Sequence, residues 1–391
     1  MFRRLIKLIW LCCAFAVLPA FADDDADSLA CFGGSCGSSS WVYFGTRATG
    51  AGTGIVAASL DSNGHLTPVG VVSDINRATW LAPHPTLPVL YAASDPGTTT
   101  PSTLFSLAVN RKTGALTLKN SALTGGIGAT HLAVDAYLKS VFVAHFGSGQ
   151  VSWLSTTRDG SLDTLLSVQQ QYGTGPNPRQ TAPHAHGVAV DPTKRFLIAN
   201  DFGADRIFTY RIDTYADQLV PTTTPYISVP AGSGPRHPVF HPYAPYMFIV
   251  SELASSVSSY RWDAWSGCLQ LVQTLALADP TYTGVKSASQ IQISRDGRFL
   301  YAANRGSNSM EVYSINVWTG TLQLIQVIPC PGVTPWDFAL DPTGRWLLVA
   351  MNTSNSISEF AVDPFTGMLT TTAETLSLPQ PSNVAFMTAT N

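Results

Sequence analysis

Charge is scarce in this chain. Asp, Glu, Lys and Arg make up 12% of its 391 residues, and no block of like charge is long enough to coat a nucleic-acid surface. Cysteine is scarcer still. None of the six forms a Cys-x-x-Cys pair, which argues against an all-cysteine metal site. The apolar run from Leu8 to Phe21 is shorter than the about 20 residues that cross a bilayer. Glycine (31) and proline (26) are plentiful instead, as suits an all-β chain with many tight turns.

The N-terminus reads as a secretory signal. Arg3, Arg4 and Lys7 precede the apolar run, and Ala20-Phe21-Ala22 supplies small residues before the acidic Asp23-Asp24-Asp25. Cleavage is expected after residue 22, with a flexible leader over 23–40 and one domain over 41–391. The mature chain then carries 19 Lys+Arg against 25 Asp+Glu, a net charge of −6. Export to the periplasm or beyond is expected, with no membrane contact after cleavage and no nucleic-acid partner. Cys12 and Cys13 leave with the signal. Cys31 and Cys36 flank a Gly/Ser loop and are the first candidate disulfide pair. Cys268 and Cys330 sit at comparable places in two repeats, and their pairing is left open. The acidic run before Cys31 makes a poor lipid-attachment signal.

One unit recurs seven times: a β-rich run, a tight turn, then a second run opening on Leu. The copies lie at 54–70, 102–118, 149–165, 205–221, 255–271, 308–324 and 355–371. Turn glycines Gly64, Gly114, Gly160, Gly267, Gly320 and Gly367 mark six, and Ala216-Asp217 stands in the fourth. Between these lies a second hairpin, clearest as DFALDPTGRWLLVAMN at 337–352. Two hairpins per unit of about 50 residues predict an all-β fold, a propeller of seven four-stranded blades. The N-terminal WVYFGTR (41–47) resembles a second inner strand, and SNVAFMT (382–388) a first inner strand with no partner after it. Their pairing is expected to close the ring and remove both edges.

Aligning the inner hairpins on His84, Asp135, Asp191, His241, Ser294 and Asp341 separates scaffold from candidates. His84 and His241 replace Asp before Pro and read as turn residues. Where the first inner strand begins, the copies carry Thr130, His186, Arg236, Ser289 and Trp336. One position later come Trp80, His131, Gly187, His237, Gln290 and Asp337. Where the second inner strand ends they carry Asp95, Phe146, Phe202, Glu252, Arg305 and Asn352, with Arg47 in the N-terminal strand. Strand starts and neighbouring strand ends share one rim, so these residues are expected in a ring at the channel mouth. A ring of His, Arg, Glu and Asp is hard to explain by packing and points to a functional site. Solvated ion pairs are the plain alternative. A metal held by His184 and His186 with Glu252 or His237 is another, though no ligand spacing supports it.

The segments TAPHAHGVAVDP (181–192), GSGPRHPVFHP (232–242), SELASSVSSY (251–260) and RDGRFLYAANRGSNS (295–309) together resemble the seven-bladed propeller lactonase family. That family includes bacterial 6-phosphogluconolactonases and fungal carboxy-cis,cis-muconate cyclases, and the likeness runs from about Trp41 to the C-terminus. The resemblance implies a site at the channel mouth on His186, Arg236, Glu252 and Arg305, acting without cofactor or metal on a small lactone. His186 would be the general base, oriented by Glu252, with Arg236 and Arg305 on the carbonyl and the product carboxylate. His184, His237, Arg47, Trp336 and Gln290 would be further substrate contacts. Trp336 stands where family members often carry Arg, and Gln290 and Gln292 where Glu and His are common. These departures, with export, make a non-phosphorylated sugar or organic-acid lactone the expected substrate. A non-catalytic ligand- or protein-binding propeller and a ring-forming cycloisomerase are the alternatives.

Overall fold

A computed structural model describes residues 39–50, 52–97, 99–277 and 282–388. The expected signal and most of the leader, with Cys31 and Cys36, lie outside the described residues.

The chain forms seven antiparallel four-stranded sheets, as the repeats predict. Six sheets take their strands in sequence order; the seventh joins Pro381–Thr388 to Ser40–Thr46, Ile55–Leu60 and Leu66–Ser73. The two ends of the chain pair antiparallel, with Phe44 opposite Val384 and Trp41 opposite Met387. The first strand of each blade packs against those of both neighbouring blades, so seven innermost strands close a ring.

Alternation along the inner strands puts large apolar side chains on both faces of every blade. Seven core clusters result, one between each pair of neighbouring blades; Tyr301, Met310, Phe338 and Phe360, for example, fill one of them. The turn residues do what their chemistry predicts. His84 Nδ1 accepts from the backbone N–H of Leu87 at 3.0 Å, and His241 Nδ1 from Ala244 at 2.9 Å, as Asp135 Oδ1 does from Leu138 at 2.8 Å. In the fourth outer turn Asp217 takes the left-handed conformation that Gly has in the other copies (φ 53°).

Cys268 and Cys330 are both unpaired. They are not equivalent after all: Cys268 opens an outer strand, whereas Cys330 follows the end of the next blade's outer strand, Leu322–Pro329.

Candidate active site

Two backbone devices, repeated around the ring, build the channel mouth. The residue after each second inner strand donates its N–H to the carbonyl two residues ahead of a mouth residue on its own blade. Glu252 bonds Gly234 at 2.8 Å, Arg305 bonds Ser287 at 2.7 Å, and Arg47, Asp95, Phe146, Phe202 and Asn352 make the same bond. The second device is a register shift near the start of every first strand. In one blade Pro235 faces Ser251 and His237 faces Val250, leaving Arg236 as the extra residue; Thr79, Thr130, His186 and Trp336 are extra in the same way. A bulge re-aims the side chain it carries. It therefore sends Arg236 to the mouth and its neighbour His237 elsewhere.

The mouth encloses a cavity of about 500 Å³. Of the expected residues, His186, Arg236, Glu252, Arg305, Arg47 and Trp336 line it; His184, His237 and Gln290 do not. Glu252 is the hub. Its Oε2 accepts from Arg236 at 3.1 Å and is ion-paired with Arg305 at 2.7 Å, its Oε1 accepts from Arg179 at 2.8 Å, and His186 Nε2 stands 3.9 Å from Oε2. Burial alone would raise the Glu252 pKa, but the charges of Arg305, Arg236 and Arg179 outweigh it and hold the carboxyl well below its ordinary range. Burial, then Arg305, pulls the Arg236 guanidinium down to about 9 against the opposing pull of Glu252, still cationic at neutral pH. His186 is pushed the other way. Burial and the Arg236 charge lower it well below 6.5 despite Glu252, so the imidazole is neutral, and among the described residues no other one hydrogen-bonds its Nδ1.

Trp336 lies under two guanidiniums, Arg305 at 4.7 Å and Arg47 at 5.3 Å from the ring centroid. That spacing is within cation–π range. The ring thus positions cations at the mouth. His184 stacks on Phe146 at 4.5 Å, and its Nδ1 meets the Phe146 carbonyl at 2.6 Å, behind a residue that lines the cavity.

His237 and Gln290 belong to a layer beneath. His237 packs against Trp80, His131 and His186 with centroids 4.6–5.1 Å apart. Gln290 Nε2 donates to Asp337 Oδ1 at 2.5 Å and its Oε1 accepts from the Ile291 N–H, so Oε1 must also be the acceptor for His237 Nδ1–H at 2.8 Å. Asp337 Oδ2 accepts from Asn383 Nδ2 at 2.7 Å and Val384 N at 2.9 Å, on the closing strand. Burial pushes Asp337 up to about 7, against these N–H donors that favour its charged form. Trp80, Gln290, Asp337 and Asn383 line a separate hollow of about 600 Å³ beyond this layer.

Two cations at the mouth escaped the repeat alignment. Arg77 precedes the first strand Ala78–Pro83 in a left-handed conformation (φ 49°) and pairs with Asp95 at 3.4 Å. Arg179 sits in the loop between the strands Leu162–Gln170 and Ala185–Val190 of neighbouring blades, and it also lies over Phe202 at 4.7 Å. The cavity lining therefore carries five guanidiniums against the carboxylates of Asp95 and Glu252. Among the described residues, no three His, Cys, Asp or Glu side chains converge as metal ligands.

The chain is 29% identical to the 6-phosphogluconolactonase of Bacillus subtilis over 349 residues, 88% of this chain and 97% of that protein. It is 30% identical to the 6-phosphogluconolactonase of Formosa agariphila, over 81% of this chain and 91% of that one. Among solved structures, the periplasmic gluconolactonase of Pseudomonas aeruginosa superposes with a TM-score of 0.85 at 26% identity, covering 90% of this chain and all of that one. The family model described as "Lactonase, 7-bladed beta-propeller" matches residues 41–386. With seven blades closed by both termini and a cationic mouth centred on Glu252, the chain belongs to the seven-bladed β-propeller lactonase family.

Proposed function

We propose that this chain is an exported hydrolase of small lactones, acting at the cavity of His186, Arg236, Glu252 and Arg305. The observation that carries the reading is one carboxylate gathering three guanidiniums beside a neutral, buried imidazole. His186 takes a proton from water as the oxygen attacks the lactone carbonyl. The carbonyl oxygen becomes an oxyanion within reach of the guanidiniums that Glu252 holds in place. The ring C–O bond then breaks, the alkoxide takes the proton from His186, the new carboxylic acid loses its remaining proton to solvent, and the carboxylate product leaves from the same cations. Glu252, ionised and saturated with donors, is the group that arranges the cations and not the base.

A non-phosphorylated aldonolactone or organic-acid lactone is the proposed substrate, supported by Trp336 in place of a further cation and by the periplasmic gluconolactonase relative. The five guanidiniums of the lining favour a second reading, a lactone that itself carries an anionic group. A pH-stat comparison of purified protein on gluconolactone and 6-phosphogluconolactone, with and without chelator, separates them by kcat/KM. Hydrolysis no faster than the spontaneous rate on every lactone tried would leave a binding propeller as the better account. Export, read from residues 1–22, is tested by N-terminal sequencing of the protein recovered outside the cytoplasm.

A further inference from the structure

One buried carboxylate ties together the two loops that carry Arg179 and Arg236. Asp205 lies in the turn between Phe196–Asp201 and Arg206–Asp213, in the left-handed conformation (φ 52°) and 5% exposed. Its Oδ1 accepts from the Gly234 N–H at 2.8 Å and its Oδ2 from the Gly232 N–H at 2.6 Å. Gly234 stands two residues ahead of Arg236 and is held from both sides, since its carbonyl accepts from the Glu252 N–H. The same Oδ1 accepts from Gln180 Nε2 at 2.8 Å. Gln180 is buried next to Arg179 in the chain, and its amide is fully used. Nε2 also donates to the Phe202 carbonyl at 2.7 Å, and Oε1 accepts from the Asn177 N–H at 3.1 Å. A Cβ at Gly175 would come within 2.5 Å of the Gln180 amide and 2.7 Å of Asp205 Oδ2, so this loop packs directly on the pair.

Other blades show what the turn itself requires. Asn308 and Asn355 hold the same position, also left-handed, and their Oδ1 atoms accept from the Thr334 N–H at 2.7 Å and the Gln380 N–H at 2.9 Å. Asp205 makes that bond with Gly234 and adds two more. A carboxylate only accepts, so its two oxygens can meet three N–H groups converging from two loops. An amide has one oxygen, and its NH2 would face the Gly232 N–H as a second donor. The charge at 205 is therefore fitted to joining loops and exceeds what the turn needs.

We propose that Asp205, with Gln180, is a positioning residue of the site, a clasp that sets Arg179 and Arg236 against the two oxygens of Glu252. Its catalytic consequence rests on the lactonase reading. Neither side chain lines the cavity, so both act through the arginines. Arg236 reaches Oε2 and Arg179 reaches Oε1, each carried on a loop that Asp205 holds. Opening the clasp lets the two loops drift apart, and a misplacement of about 1 Å can cost about 100-fold in rate.

The test joins amide hydrogen exchange to steady-state kinetics on lactone. Gly149 holds this turn position in another blade (φ 63°), so Asp205→Gly keeps the turn and removes the carboxylate. Exchange should quicken about 3- to 10-fold in segments 175–180 and 232–236 together, on the scale of lost hydrogen bonds, and stay unchanged elsewhere. The kcat should fall about 10-fold or more. Asp205→Asn keeps one oxygen for Gly234 and Gln180, so it should loosen 232–236 alone and show intermediate kinetics. Gln180→Ala should loosen 175–180 alone and raise KM several-fold. In an Arg179→Ala background it should add less than twofold, because its effect passes through that arginine. Parental exchange in either segment of Asp205→Gly, or parental kinetics despite faster exchange, overturns the proposal. So does full multiplication of the Gln180 and Arg179 effects, a cycle that decides the matter alone if Asp205→Gly fails to fold. A parent protein that hydrolyses no lactone overturns the lactonase reading instead; exchange needs no substrate and still shows whether one residue holds both loops.

Discussion

Arg179 and Glu252, 73 residues apart in the chain, meet at 2.8 Å at the channel mouth. The arginine side chain is 54% exposed and the glutamate 4%. This pair is the most solvent-exposed of the three that hold Glu252, so it and the two buried ones should respond differently to mutation.

Glu252→Gln removes the charge that offsets Arg236 and Arg305, whose side chains are 4% and 8% exposed. Leaving buried cations without their counter-charge is expected to cost about 3–5 kcal/mol of stability. Arg179→Ala should cost under about 1 kcal/mol, because Arg179 is half-exposed and water can take its place. On lactone substrate it should raise KM several-fold while Glu252→Gln lowers kcat. Denaturant midpoints and steady-state kinetics check both, and equal destabilisation by the two variants would refute the account of the hub.

His186 sets the pH profile. A general base works deprotonated, and burial with Arg236 holds His186 well below 6.5. Its inactivating protonation therefore lies on the acid side, so kcat/KM should be flat from pH 6.5 upward through neutrality and fall only in more acid solution. His186→Ala should reduce kcat/KM by about 100-fold or more, the usual scale of a lost general base. An inflection centred near pH 6.5 in the parent protein would contradict a buried neutral imidazole as the base.

The closing strand reaches the site through side chains. Asn383 donates to Asp337 at 2.7 Å and accepts from the buried Leu81 N–H at 3.0 Å. Asn383→Ala leaves that N–H without its acceptor, at an expected cost of about 1–3 kcal/mol. The line from Asp337 through Gln290 and His237 ends at Arg236, so kcat on lactone should fall as well. A stability loss with unaltered kcat would show that the layer supports the fold alone.

Gly187 follows the bulge residue His186. A Cβ there would run into the Arg236 carbonyl oxygen and stand 2.8 Å from Pro238 Cδ and 3.0 Å from His237 Cα. These are mostly backbone neighbours and cannot swing away. Gly187→Ala is expected to destabilise by about 1–3 kcal/mol and to displace Arg236 from Glu252. A fully active, equally stable variant would mean that the two inner strands separate freely.

Much of this was legible in the repeats. Their turn residues and apolar alternation are local signals; seven copies in phase predict seven blades, and unmatched strands at the two ends predict the closure that Phe44 and Val384 make. The phase also predicts the ring of Glu252, Arg305 and Arg47, because a shared backbone bond fixes every strand end at one level. Other assignments needed three dimensions. Adjacent residues such as Arg236 and His237 part company at a bulge, and a bulge leaves no mark in an apolar pattern. Trp336 reads as a substrate contact in sequence, but two arginines from other blades lie against it. Arg179, on a loop outside the repeat, has no phase to be read from. The sequence by itself determined the blades and the rim, because both follow from local periodicity. Which rim residues share a carboxylate was decided only when the ring closed and brought distant blades around one channel.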